Sequence, residues 1–367
     1  MTVKNLSPLG IAYFISPHGY GHAARSAAVM AALRQSIPTA RFEVFTQVPP
    51  WFFDASLDGM VGYHPLMSDI GLAQKNSLVE DIPETMRRLA ELLPFDPLQV
   101  ERLADQVKQL GCRLVICDIA PLGIAVAKAA GLPALLIENF TWDWIYEGYL
   151  AAEAGLSFYI NYLRSWFAAA DYHIQTRPVC LPQSVHLTTG PVSRRGRTPA
   201  QATRQQLGLP AQAKAVLLTM GGIPWDYNTF LDRLAGQADI YFIIPGGSER
   251  VEQRGNLVLL PHHSEFYHPD LVNAVDAVIG KLGYSTVAEV YHAGIPFGYI
   301  PRPDFRESEQ LREFVDRHIN SIAVSPAQFE TGAWLLRLPE LLALPRVTRT
   351  EPNGAEQAAR FIVGLLT

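Results

Sequence analysis

His18 and His22 bracket the turn Gly19-Tyr20-Gly21. Imidazole changes charge near neutral pH, so a histidine aimed at a ligand can take a proton from a hydroxyl. Gly19 and Gly21 let the backbone turn tightly and approach that ligand. The apolar run Gly10–Ile15 precedes the turn, and the alanine-rich stretch Ala23–Arg34 follows it with Val29, Met30 and Leu33 at helical spacing. His22 therefore falls at a helix start, where free N–H groups and the positive end of the helix dipole gather. It suits a general base there, and equally a helix cap. Asp118 ends the apolar run Leu114–Cys117. A carboxylate at the C-terminal edge of a parallel strand faces the ligand side of the sheet. Paired with His22 it would orient the imidazole and stabilise its protonated form; alone it reads as an N-cap of the next helix.

The segment Gly280-Lys281-Leu282-Gly283-Tyr284-Ser285-Thr286 leads from a strand into a helix that carries Glu289. Backbone N–H groups, hydroxyls and a helix dipole converge in such a turn and suit a phosphate, with Lys281 adding charge. Glu289 would accept hydrogen bonds from a ribose diol; the alternative is a capping box with Ser285 as cap and Glu289 in solvent. Gly221-Gly222 is a second glycine turn that would border the same phosphates. The polar stretch Pro301–Gln310 is expected to be a loop whose Glu307, Glu309 and Gln310 could hold sugar hydroxyls, although charge runs are mostly solvated faces. Trp142 and Asp143, within Asn139–Tyr146, combine aromatic and acidic groups in a manner that suits a sugar or glycoside acceptor, or else a core edge. The chain has no HExxH, CxxC, Walker lysine loop or Gly-x-Ser-x-Gly elbow, so neither a metal site nor a serine nucleophile is expected.

Alternating strands and helices must position these groups. Strands are expected at Arg41–Phe45, Leu114–Cys117 and Ala134–Ile137, with helices at Leu98–Leu110 and Ile119–Ala130. A polar, aperiodic linker with Arg194, Arg195 and Arg197 lies near Gly190–Gln212, after which the alternation restarts. Strands then fall at Ala215–Thr219, Ile240–Ile244, Leu257–Leu260, Ala277–Ile279 and Phe297–Ile300, and helices at Tyr227–Ala235, Asp270–Ala274 and Ser285–Ala293. The fold class is α/β: two Rossmann-like domains, each with a parallel sheet. The expected boundaries are 1–195 for the first and 196–354 for the second. The amphipathic helix Ala355–Leu366 would return to the first, burying Ala358, Phe361, Ile362 and Leu365.

Composition narrows the function. The 367 residues are 49% hydrophobic and 18% charged, with a formal net charge of −5, which suits a two-domain globular protein and not a nucleic-acid binder. Cys112, Cys117 and Cys180 lie in apolar stretches and suggest a reducing compartment without disulfides. No apolar run reaches membrane-spanning length, and residues 1–15 lack a signal-peptide core, so a cytoplasmic protein with its own N-terminus is expected.

Taken together, the two halves resemble a GT-B glycosyltransferase of the inverting, MurG-like and UDP-glycosyltransferase-like kind. The His22 turn is similar to that superfamily's catalytic-histidine loop, and Asp118 lies where plant members carry the acid paired with it. Lys281 to Glu289 resembles the donor motif, although many members have His or Arg where this chain has Lys281. His18–His22, Asn139–Tyr146, Gly280–Tyr284 and Phe305-Arg306-Glu307 also look like the glycosyltransferase-like half of plant L-arabinokinases. A kinase half would begin where this chain ends, so sugar-kinase activity is not implied. The resemblance implies a GT-B architecture facing a central cleft, with His22 and Asp118 catalytic. It further implies Ser285 and Thr286 at phosphate, Glu289 at ribose, a UDP-sugar donor, an unnamed acceptor, and no metal or resident cofactor. Alternatives of other classes are a nucleotide-sugar-binding module without catalysis, and a GT-B nucleotide-sugar epimerase. Oligomeric state stays open.

Overall fold

A computed structural model describes residues 9–222, 225–237 and 239–366; residues 1–8, which carry the start of the expected N-terminus, lie outside it. The chain divides into two compact units, one of residues 1–73, 81–192 and 352–367, the other of residues 74–80 and 193–351.

The first unit opens with β1 (Gly10–Ile15), α1 (Gly21–Ser36), β2 (Arg41–Thr46), α2 (Pro50–Ser56) and β3 (Gly62–Pro65). The chain then makes a short antiparallel hairpin, β4 (Gln74–Asn76) and β5 (Val79–Glu80), which groups with the second unit. It continues through α3 (Ile82–Leu92), α4 (Pro97–Gln109), β6 (Cys112–Asp118), α5 (Pro121–Ala130), β7 (Ala134–Glu138), α6 (Trp142–Glu147), α7 (Leu156–Phe167), β8 (Tyr172–Thr176) and β9 (Leu187–Thr189). Asp81 and Asp96 cap α3 and α4, each followed by proline in the first turn, which needs no N–H there. The sheet order is β3-β2-β1-β6-β7-β8-β9, all parallel. β1 is buried along its whole length, as a strand covered on both faces must be.

The second unit contains α8 (Ala200–Gln206), β10 (Lys214–Thr219), α9 (Leu231–Ala235), β11 (Ile240–Pro245), β12 (Glu252–Arg254), β13 (Leu257–Leu260), α10 (His268–Ala274) and β14 (Ala277–Lys281). It closes with α11 (Tyr284–Ala293), β15 (Phe297–Ile300), α12 (Glu307–His318), β16 (Ser321–Ala323), α13 (Pro326–Thr331) and α14 (Leu338–Ala343). Its sheet runs β12-β13-β11-β10-β14-β15-β16, parallel except for the β12–β13 edge. Leu78 of the hairpin joins this unit's core beside Phe230, Phe242 and Trp334. The last helix, α15 (Gly354–Leu366), packs on α1 and β9 of the first unit; Ala358 and Ile362 are fully buried there, whereas Phe361 and Leu365 are only partly covered.

Three local expectations change. The stretch expected as a linker carries α8, and its backbone is held: Asp270 Oδ1 accepts the backbone N–H groups of Arg197 and Thr198 at 2.6 and 3.1 Å. The polar stretch 301–310 is a loop only to Arg306, because Glu307 opens α12; the acids sit in its first turn, where they favour the helix dipole. The helix expected from Tyr227 begins at Leu231. Among the described residues no helix is long and apolar enough to cross a membrane.

Candidate functional site

In each sheet the chain order reverses beside the first strand, at β1/β6 and at β10/β14. Side chains at the carboxyl ends of such strands border the crevice where open α/β sheets bind ligands. The sequence motifs fall there. The His18–His22 turn follows β1 and Asp118 ends β6, with Ile15 and Asp118 in register. Gly221 follows β10 and Lys281 ends β14, with Thr219 and Gly280 in register.

The first unit brings His22 and Asp118 together: Nδ1 lies 3.0 Å from Oδ1. His22 is the second residue of α1, and its side chain is 9% exposed. Asp118 is fully buried. Arg25, one turn further along α1, donates to both of its oxygens, from Nε at 2.9 Å and from Nη2 at 2.6 Å, and Ser26 Oγ donates at 3.1 Å. Burial opposes charge on Asp118, but the Arg25 guanidinium and the bonds from Arg25 and His22 hold its carboxyl below the usual range. Burial lowers the His22 pKa; Asp118 opposes that shift and the Arg25 charge adds to it. The next residue, Ile119, turns the chain with φ at +45°. A β-branched residue in that region costs about 1–3 kcal/mol and is a mark of functional sites.

Gly19 takes the left-handed backbone with φ +68°, while Gly21 is the first residue of α1. His18 packs edge-on to Trp142, 5.1 Å between ring centres, and its ring leaves no room for a β-carbon on Gly71. Trp142 is 1% exposed; its indole N–H donates to Asp69 Oδ2 at 3.2 Å, and Ser16 donates to Asp69 Oδ1 at 2.8 Å. Burial raises the Asp69 carboxyl to about 8. Trp142 thus walls the histidine turn from behind. Asp143 is also buried, with Oδ2 bound by Arg164 and Oδ1 lacking a hydrogen-bond partner among the described residues.

In the second unit α11 begins at Tyr284 with Gly283 as N-cap and no side chain capping it, so Ser285 lies inside the first turn and does not cap. The N–H groups of that turn have no partner within the helix. The Lys281 ammonium sits beside Gly221. Burial, then the charge of Arg302, lowers Lys281 to about 7. Arg302 is buried over the Phe305 ring and ion-paired with Glu80 of the hairpin, while its Nε has no hydrogen-bond partner among the described residues. Glu289 is buried and not solvated. Arg194 donates to Oε1 at 3.0 Å, and His268 Nδ1 lies 2.8 Å from Oε2. Burial raises its pKa, but Arg194 and His268 outweigh that and leave it lowered. Glu307 is buried near Lys281, Gln310 is partly covered, and exposed Glu309 is spent on Arg312.

No family model matches the chain. It is 26% identical over 364 residues to an L-arabinokinase of Arabidopsis thaliana, an alignment that takes in 96% of this chain and 34% of that protein. The chain therefore spans about a third of that relative's length. An uncharacterized glycosyltransferase of Methanopyrus kandleri is 24% identical over 278 residues, 71% of this chain and 78% of its own. Among solved structures, a UDP-glucosyltransferase from Polygonum tinctorium superposes with a TM-score of 0.61 at 12% identity, covering 98% of this chain and 99% of its own. The fold is GT-B. Within this GT-B chain, Arg25, Asp69, Arg194, His268 and Arg302 are site neighbours that sequence reading did not single out. Arg25 hides in an alanine-rich helix, and only its spacing of three from His22 hinted at a shared face.

Proposed function

We propose that this GT-B protein is a glycosyltransferase that moves a sugar from a nucleoside diphosphate donor, UDP-linked, to an acceptor hydroxyl with inversion. The observation that carries the reading is the 3.0 Å His22–Asp118 pair at the switch point of the first sheet. His22 takes the acceptor's proton on Nε2. The acceptor oxygen bonds to the anomeric carbon while the bond from that carbon to the diphosphate oxygen breaks, and the electron pair leaves with the diphosphate. One attack from the face opposite the leaving group inverts the centre.

The leaving diphosphate is held in the second unit by the first-turn N–H groups of α11, the hydroxyls of Ser285 and Thr286, the Gly221-Gly222 turn and Lys281. Their combined positive potential stabilises charge as it develops, without a metal ion in the reading. Glu289 takes the ribose diol, its carboxylate set by Arg194 and His268. Glu307 and Gln310 face the sugar. Trp142 and Asp143 shape the acceptor side.

Incubation with a panel of nucleoside diphosphate sugars tests the reading. The expected result is slow loss of one uridine-linked sugar with release of UDP, faster when an acceptor is present and unchanged by EDTA. Binding without turnover, or conversion to an isomeric nucleotide sugar, would overturn it in favour of a binding module or an epimerase.

A further inference from the structure

We propose that Arg25 is a positioning residue that presents His22 to the acceptor as the neutral Nδ1–H tautomer, with Nε2 bare. The proposal rests on the reading of His22 as the base. Arg25 is buried, with a side chain 1% exposed, and its donors are shared among groups of the same crevice. Nε and Nη2 hold the two oxygens of Asp118, Nη1 donates to Asn139 Oδ1 at 2.6 Å, and Nη2 lies 3.3 Å from His22 Nδ1.

Two contacts compete at Nδ1, and the shorter one selects the tautomer: a bare Nδ1 would accept from Arg25 Nη2 at 3.3 Å, whereas a protonated Nδ1 donates to the Asp118 carboxylate at 3.0 Å. If Nδ1 were bare, its lone pair would point at a carboxylate oxygen 3.0 Å away, acceptor against acceptor. With a proton on Nδ1 that contact becomes a charge-assisted hydrogen bond. Among the described residues Nε2 has no hydrogen-bond partner. It is therefore the nitrogen left to receive a proton.

Arg25 also decides whether that nitrogen starts empty. A buried aspartate alone favours imidazolium, and a protonated histidine cannot act as a base. Guanidinium does not titrate in proteins. Gripped at both oxygens, Asp118 has its charge offset by Arg25, and a proton arriving at Nε2 charges a ring whose Nδ1 lies 3.3 Å from the guanidinium. The charged groups facing His22 are thus Asp118 from β6 and Arg25 from its own helix. From the segment leading into α6 and from its first residue come the uncharged rings of Phe140 and Trp142, with Asp69 behind Trp142. The cluster orients the imidazole through Asp118 without committing it to the protonated form.

Side-chain nitrogen NMR of the full chain tests this, the His22 signals being assigned by their loss in His22→Gln. The wild type is expected to show Nδ1–H at neutral pH. Arg25→Met should raise the His22 midpoint by about one pH unit, the scale of one neighbouring charge removed. Arg25→Lys, which keeps the charge but not the fork, should bring it back toward wild type. An Nε2–H tautomer in the wild type overturns the proposal and needs no variant to fold. An unmoved midpoint in a folded Arg25→Met, checked by circular dichroism, also overturns it. If instead His22→Ala keeps its turnover, the reading of His22 as the base fails while these spectra stand.

Discussion

The ammonium nitrogen of Lys281 lies 3.7 Å from the position that a β-carbon on Gly221 would occupy. Two glycine turns, separated by 60 positions in the numbering, are thereby joined at the ends of neighbouring strands β10 and β14. The cation is partly buried and has no hydrogen bond or ion pair among the described residues, so an anion placed there would be its first direct contact of opposite charge.

With the proposed diphosphate site at Lys281, UDP affinity should depend on pH. Lys281 sits at about 7, so it is charged below neutral pH and loses its charge above it. A bound diphosphate favours the charged form and raises that value. Above pH 7, binding must therefore take up a proton, and affinity should fall by up to about tenfold per pH unit until the pKa of the bound form is reached. Calorimetry between pH 6.5 and 9 should show this slope in the wild type and its loss in Lys281→Met. An equal slope in both assigns the effect elsewhere.

His22→Ala should lose about 10²–10⁴-fold in kcat, the usual contribution of a positioned base, with donor Kd nearly unchanged, because the donor groups lie in the other unit. His18→Ala should act mainly on the shape of the turn, since His18 packs on Trp142 and Gly71. Steady-state kinetics with both variants decides. Abolished turnover in His18→Ala beside intact turnover in His22→Ala would reverse the assignment.

Glu289→Ala should weaken UDP by about ten- to a hundredfold, corresponding to the ~1.5–3 kcal/mol of a hydrogen bond to a charged group. It also leaves Arg194 and His268 without their carboxylate. Glu289→Gln keeps the shape with less disturbance and should fall between the two. Unchanged UDP affinity in both variants would remove Glu289 from the ribose.

Asp69 should lower stability as pH rises. Its folded-state pKa of about 8 lies above the value of a free carboxyl, so the native state holds a proton that the unfolded chain has lost. Stability from this group is fully present below about pH 4 and declines toward pH 8. Asp69→Asn mimics the protonated form. Melting curves from pH 5 to 8 should fall less steeply for the variant, and parallel curves would show that Asp69 is charged in the native state.

Much of the scaffold was legible because it is local. β1, β13 and β15 occupy the residues that the apolar runs indicated, and α5 and α11 each end at a glycine in the left-handed region, Gly131 and Gly294. The hairpin was not legible: Gln74–Glu80 carries a weak strand signal, and its membership of the second unit depends on Leu78 finding that core and Glu80 finding Arg302. Glu307 looked like part of a solvated charge run, yet a helix begins at it and buries it.

The sequence by itself determined the order of strands and helices, the glycine turns, and the residue types at the strand ends. These follow from periodicity and backbone sterics within a few residues. Tertiary structure decided partnership. The distance from His22 to Asp118 spans 96 positions, and that from Arg194 to Glu289 spans 95. Nothing in the spacing says whether a buried acid meets a histidine, an arginine or both. That is settled by which strands lie side by side, and by the requirement that each charge taken out of water finds a partner there.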